Sequence, residues 1–215
     1  MKAASKARKR PATPRLTRDD WLDAAFAAVV EGGFDNVRVL ALAEALGVTR
    51  GSFYWHFADH ADLVGALLAR WREREIGPDR RLQSGTTADP EADLLQLLDV
   101  ALAHVGTDLE DMRFELAVRG LGRRDAAVAK LLVEVDQARI SVFEHKFQRL
   151  TGDAKSASAL AALFYLAIAG SHQALSRPTS SPRAKEHLKG IIAEYLIHRQ
   201  MPARGSRRRA GTPPR

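Results

Sequence analysis

The chain has 215 residues, enough for one or two domains with a real core. Its complete lack of cysteine excludes disulfides, thiolate metal sites and cysteine nucleophiles. The formal charge of +7 sits at the ends: residues 1–18 hold seven basic side chains (Lys2, Lys6, Arg8, Lys9, Arg10, Arg15, Arg18) and residues 201–215 hold five (Arg204, Arg207, Arg208, Arg209, Arg215), with no acid in either stretch. Residues 19–200 are net acidic, 21 basic against 26 acidic.

No run reaches the roughly 18 apolar residues that a membrane span needs. The basic start has no apolar stretch behind it, so it does not read as a secretory signal. A cytoplasmic protein with no membrane contact is expected, with no cofactor and no metal. Residues 1–15 mix Lys, Arg, Ala and Pro without periodicity, which predicts a disordered basic arm.

The first helix should begin at Thr17 or Arg18, where Asp19, Asp20 and Asp23 suit its positive end. Leu22, Phe26, Val29 and Val30 form the predicted buried stripe. Gly32 and Gly33 end it, and Phe34 folds back over the last turn. Two short helices follow, over 39–46 and 49–57. Leu42, Ala43 and Leu46 share one face of the former. Gly47 lies where the chain must turn sharply, and glycine enters the left-handed region without steric cost. Val48 points back into the corner, and Thr49 is placed to cap the next helix. Phe53 and Phe57, four apart, give that helix its buried face. Thr49, Arg50, Gly51, Ser52, Tyr54, Trp55 and His56 remain for the outside. A bland surface helix would carry Glu, Lys and Ala there.

Two short helices joined through a glycine turn make a helix-turn-helix, whose second helix enters the major groove of DNA. The small Ala43 suits a close helix crossing. On these residues, above all the Gly-Val-Thr-Arg-Gly-Ser-Phe-Tyr-Trp-His-Phe run over 47–57, the chain resembles the tetracycline-repressor (TetR) family of bacterial transcription regulators. The resemblance in motif covers about residues 16–71; beyond it the likeness is one of helix pattern and length.

Among the exposed residues Arg50 is the first choice for a base reader, because its fork fits guanine O6 and N7, with a phosphate contact as the alternative. Gly51 lets the helix approach the groove or meet a thymine methyl. Thr49 and Ser52 suit phosphate or base, and Trp55 suits a base or sugar, or packing against the first helix. Arg38 is placed to touch the DNA backbone. The resemblance implies that Tyr54 and His56 clamp phosphates. It also marks departures. His60 stands where the family often has Lys, and histidine carries less charge near pH 7, so a phosphate contact there should be weaker and pH-sensitive. Val37 and Arg38 replace a favoured Thr or Ser. Only Arg38 and Arg50 are basic within 19–60, against seven acids, a deficit that the arm could offset.

Asp59 is a plausible cap for a fourth helix, with Asp62 at its third position and Leu63, Ala66, Leu67 and Trp71 along it. Residues 77–90 lack an apolar period and read as a linker. Asp89 and Pro90 open a fifth helix, marked by Leu94, Leu97, Leu98, Ala101 and Val105. A sixth lies around 112–121. Asp125 opens the longest, with Val128, Leu131, Leu132, Val135, Val142, Phe143, Phe147 and Leu150, and Gly152 stops it. Residues 157–175 are apolar nearly all round, which predicts burial on several faces. The last helix carries Leu188, Ile191, Ile192, Tyr195 and Leu196 in one stripe. One domain cannot cover both final helices, so a homodimer through a four-helix bundle is expected.

The fold class is therefore all-α: a disordered arm over 1–15, a three-helix DNA-binding domain over 16–75 with its helix-turn-helix at 38–57, a helical effector-binding and dimerisation domain over 76–200, and a disordered basic tail over 201–215. The family resemblance implies a repressor that binds a palindromic operator and is released by a small-molecule effector. Candidate pocket residues are His104, Met112, Phe114, Phe143, Phe147, Phe164, Tyr165 and His172, for each of which ordinary core packing is the competing reading. An effector-independent architectural DNA-binding dimer is the alternative. An enzyme is disfavoured: His56 and His60 are four apart, but no metalloprotease His-Glu pair, phosphate loop, nucleophile elbow or dinucleotide fingerprint accompanies them.

Overall fold

Thr17 and Asp20 start the fold by capping each other. The Asp20 N–H donates to the Thr17 hydroxyl at 3.3 Å, and the Thr17 N–H donates to the Asp20 carboxylate at 2.6 Å. Those bonds from Thr17, backbone first and hydroxyl second, hold the Asp20 carboxyl below its ordinary range. Helix α1 then runs Arg18–Gly32 in this computed structural model, which describes residues 16–84, 88–107, 109–175, 186 and 190. Gly33, at φ 79°, closes α1 by donating its N–H to the Val29 carbonyl at 2.8 Å. A 3-10 turn, Phe34–Asn36, leads to α2, Val39–Ala45.

The buried face of α1 differs from the expected stripe. Trp21, Leu22, Ala25 and Val29 are the buried residues, while Phe26 and Val30 are half-buried. Trp21 meets Phe53 edge-on at 5.3 Å. After α2 the corner follows the expected chemistry: Gly47 takes φ 67°, and the Val48 N–H donates to the Ala43 carbonyl at 2.9 Å. Helix α3, Arg50–Phe53, is shorter than the expected 49–57. Beyond Phe53 the bonds tighten, with the His56 N–H reaching the Phe53 carbonyl at 2.9 Å, a three-residue span. Phe57 still stacks on Phe53 across this turn (5.5 Å, 24°). Thr49 occupies the capping position, but its side chain makes no capping bond.

Helix α4 runs His60–Ser84. Asp59 caps it as expected, accepting from the Asp62 N–H at 2.9 Å, and the Asp62 carboxylate accepts from the Ala58 N–H at 2.9 Å. The linker expected over 77–90 is helical as far as Ser84, despite Gly77 and Pro78. Proline in a helix interior costs about 3 kcal/mol. Just before it, Arg72 pairs with Glu134, Arg74 with Asp111 at 2.5 Å and Glu75 with Arg139 at 2.6 Å, which tie α4 to the later helices up to that point.

The chain divides into two compact units between Leu67 and Leu68. The first gathers its core from Trp21, Leu22, Val29, Val37, Leu42, Phe53, Phe57 and Leu63. The second contains α5 (Pro90–Thr107), α6 (Leu109–Gly122), α7 (Ala126–Thr151) and α8 (Ala154–Leu175). Asp125 caps α7 by accepting from the Ala127 and Val128 N–H groups, and Gly152, at φ 71°, ends it. Its core joins Leu94 and Leu97 of α5, Val142, Phe143 and Phe147 of α7, and Ala157, Leu160, Ala161, Phe164, Tyr165 and Ile168 of α8.

The all-α class holds: every regular element among the described residues is helical. Within this chain α8 is not buried all round, since Leu163 and Leu166 are 53% and 67% exposed. Leu188, Ile191, Ile192, Tyr195 and Leu196, the basic arm and the basic tail lie outside the described residues.

Candidate nucleic-acid interface

The outward face of the corner is set by what lies beneath it. Phe53 and Phe57 are buried, Phe53 flanked edge-on by Trp21 on one side and by Tyr54 at 5.3 Å on the other. With those rings fixed, Thr49, Arg50, Gly51, Tyr54 and Trp55 are exposed and Ser52 and His56 half-buried. Trp55 is 88% exposed, so the packing against the first helix considered for it is not made. An indole left in water costs a chain free energy unless something covers it.

Arg50 is held from within. Its Nη2–H donates to the Tyr54 hydroxyl at 3.1 Å, and its guanidinium carbon lies 5.9 Å from the Tyr54 ring centre. Arg38 precedes α2 and donates its Nε–H to the Asp35 carbonyl at 3.2 Å while remaining exposed. His60 makes a contact the sequence did not suggest: its Nε2–H donates to the Val37 carbonyl at 2.7 Å. That bond fixes the ring tautomer and ties the start of α4 to the segment ahead of α2, leaving Nδ1 as the nitrogen to face outward. Arg18 lies over the Phe57 ring at 4.6 Å and 3.8 Å from Asp62, bringing a positive charge to this unit's surface.

The pocket candidates separate. Phe143, Phe147, Phe164 and Tyr165 belong to one core, with Phe164 at 5.4 Å from Phe143 and 5.3 Å from Phe147. Met112 and Phe114 are buried on α6, and Phe114 packs against Trp71 at 6.4 Å instead. The side chains of His104 and His172 lie outside those described.

Beside that core runs an ionic chain that the sequence reading missed. Glu75 of α4 takes the Arg139 guanidinium, which grips Glu115 through two bonds of 3.0 Å. Glu115 also accepts from Arg119 at 2.7 Å; Arg119 reaches Asp136 at 2.8 Å and the Tyr165 hydroxyl at 3.1 Å. Tyr165 donates to Asp136 at 2.5 Å. Burial pushes the Glu115 carboxyl up, but the two arginines outweigh it and bring it down to about 2. Burial and the bond to Asp136 push the Tyr165 phenol up to about 12. Glu115 and Arg119 at helical spacing were the available signal, and they look the same as a solvated pair. A second buried group joins α5 to α7: Asp93 pairs with Lys146 at 3.5 Å and with Arg149.

A two-helix corner with a glycine turn, an aromatic floor and an outward row of hydrogen-bonding side chains defines a helix-turn-helix DNA-binding protein. Comparison with known proteins agrees. The family described as "Bacterial regulatory proteins, tetR family" matches residues 22–67. The transcriptional regulator TtgR of Pseudomonas putida is 37% identical over 82 residues, 38% of this chain and 39% of TtgR, so the match spans well under half of that relative. TtgW, an uncharacterized HTH-type transcriptional regulator also of Pseudomonas putida, is 33% identical over 93 residues, 43% of this chain and 69% of TtgW. The structure of SmeT, the repressor of the Stenotrophomonas maltophilia multidrug efflux pump SmeDEF, superposes over 85% of this chain and 90% of its own with a TM-score of 0.63 at 18% identity, a likeness of fold. The chain belongs to the TetR family of bacterial transcription regulators.

Proposed function

We propose that this regulator is a repressor that binds a palindromic operator as a homodimer and lets go of it when residues 76–200 take up a small molecule. Residues 16–75 form the reading domain in this proposal, with Thr49, Arg50, Gly51, Ser52, Tyr54, Trp55 and His56 against DNA and Arg38 and His60 at its edges. The observation that carries it is the outward row itself, with Trp55 88% exposed above a buried Phe53 and Phe57. Apolar and planar groups held in solvent on so small a turn are accounted for by a groove that covers them. Repression, rather than activation, draws support from SmeT, which is described as a repressor. Dimerisation draws support from Leu163 and Leu166, exposed on α8 and available to a second copy. The aromatic group of Phe143, Phe147, Phe164 and Tyr165 is where an apolar effector would intrude.

Footprinting on the chain's own promoter, repeated against a metabolite panel, tests the whole reading. A protected inverted repeat with half-sites about one or two turns apart, roughly 34–36 Å per turn, and its loss with one metabolite are expected. Protection without an inverted repeat would remove the dimeric reader. A repeat insensitive to every metabolite would favour the architectural alternative. Light scattering on Ile191→Asp with Tyr195→Asp should show monomers that no longer bind.

A further inference from the structure

The Arg50–Tyr54 contact links the reading face to the core by three successive steps. Trp21 meets Phe53 edge-on, Phe53 meets Tyr54 edge-on, and the Tyr54 hydroxyl accepts a hydrogen bond from Arg50. An arginine has five N–H donors, and reading a guanine edge takes two. One donor is spent on Tyr54, and enough remain for the base. Free in solvent, the same side chain would explore many rotamers and lose that freedom on binding.

We propose that Tyr54 is a positioning residue for Arg50: its hydroxyl fixes the guanidinium in the orientation that reads a base, so Tyr54 contributes to sequence preference through Arg50 as well as to affinity. The inference rests on Arg50 being a base reader. The acceptor side of the hydroxyl serves Arg50, and its own O–H is left to donate to a phosphate. The two roles leave different marks. A phosphate bond strengthens binding to every sequence alike, because the DNA backbone carries no sequence information. Holding Arg50 strengthens binding only where the base under Arg50 is the matching one.

The test selects DNA from a randomised pool with the full-length protein and with Tyr54→Phe, Arg50→Ala and the double variant, and then titrates duplexes differing at single positions. Tyr54→Phe keeps the ring that packs on Phe53, and thermal unfolding confirms that each variant is folded. In Tyr54→Phe the preference at the Arg50 position should fall roughly 3- to 10-fold, the worth of one hydrogen bond, with preferences elsewhere unchanged. The double variant should show no further loss at that position beyond Arg50→Ala. If Arg50→Ala relaxes one position but Tyr54→Phe weakens all sequences by one factor, Tyr54 serves phosphate alone and the inference is overturned. If Arg50→Ala itself leaves every base preference intact, the underlying assignment of Arg50 fails instead.

Discussion

Arg50, the proposed base reader, shares residues 19–60 with only one other arginine or lysine, Arg38. Replacing Arg50 with alanine should cost about 1–3 kcal/mol of binding and relax one base position per half-site. Competition of matched and singly substituted duplexes against one labelled operator measures both. A uniform loss would make Arg50 a phosphate ligand. The choice of Arg50 came from residue type and place in the motif, information a sequence holds in full. The spacing to its partner is local as well, since residues four apart on a helix are neighbours; the 3.1 Å bond to the Tyr54 hydroxyl is what the structure adds. His60 differs. Its type suggested a weak phosphate contact, while the bond to the Val37 carbonyl joins residues 23 apart in sequence, beyond any local pattern.

Among the elements, the corner between α2 and α3 depends on Gly47 at φ 67°. A Cβ there would meet nothing within 4 Å, so the cost of Gly47→Ala is purely conformational, about 1–2 kcal/mol. Chemical denaturation should register that loss, and DNA affinity should fall with the displaced α3. Some caps and stops of this kind were legible: Asp59, Asp125 and Gly152 act where their residue types suggest, because capping is local, whereas Thr49 stands at its capping position without a capping bond. Helix length was harder. Helix α4 outlasts Gly77 and Pro78, with ion pairs to α6 and α7 just ahead of them that no local pattern reveals, and α3 ends early within its own turn.

The ionic chain is the clearest case among those pairs. Glu115, depressed to about 2 from an ordinary value of 4.5, adds stability that is complete above pH 4.5 and drains away as pH falls toward 2. The thermal midpoint should therefore drop through that window, and Glu115→Gln should flatten the drop. Because that change leaves Arg119 and Arg139 short of a counter-charge, it should also cost roughly 3 kcal/mol at neutral pH.

For the molecule as a whole, charge is segregated. The basic residues that exceed the acids sit at the two ends, while residues 19–200 are net acidic. Deleting residues 2–15 removes six positive charges, and each phosphate left without its counter-charge takes about 0.9 off the salt slope of binding. Specific and random DNA should weaken together, with the preference under Arg50 intact. A salt titration of full-length and shortened protein on one operator, flanked by A·T or by G·C pairs, measures this. An unchanged slope would make the arm a solubilising extension, and loss of an A·T flank preference would place it in the minor groove.

The three tryptophans lie in three different settings. Trp21 is sealed against Phe53 in the first unit, Trp71 is sealed near Phe114 in the second, and Trp55 stands in water on the reading turn. The chain thus comes with its own optical labels. Emission from Trp55 should be red-shifted in the free protein and quenched when a duplex covers it, giving an occupancy signal without any attached dye. With Trp55 replaced by phenylalanine, one buried indole remains to report on each unit, so one fluorescence trace can tell whether the head and the body come apart together or separately.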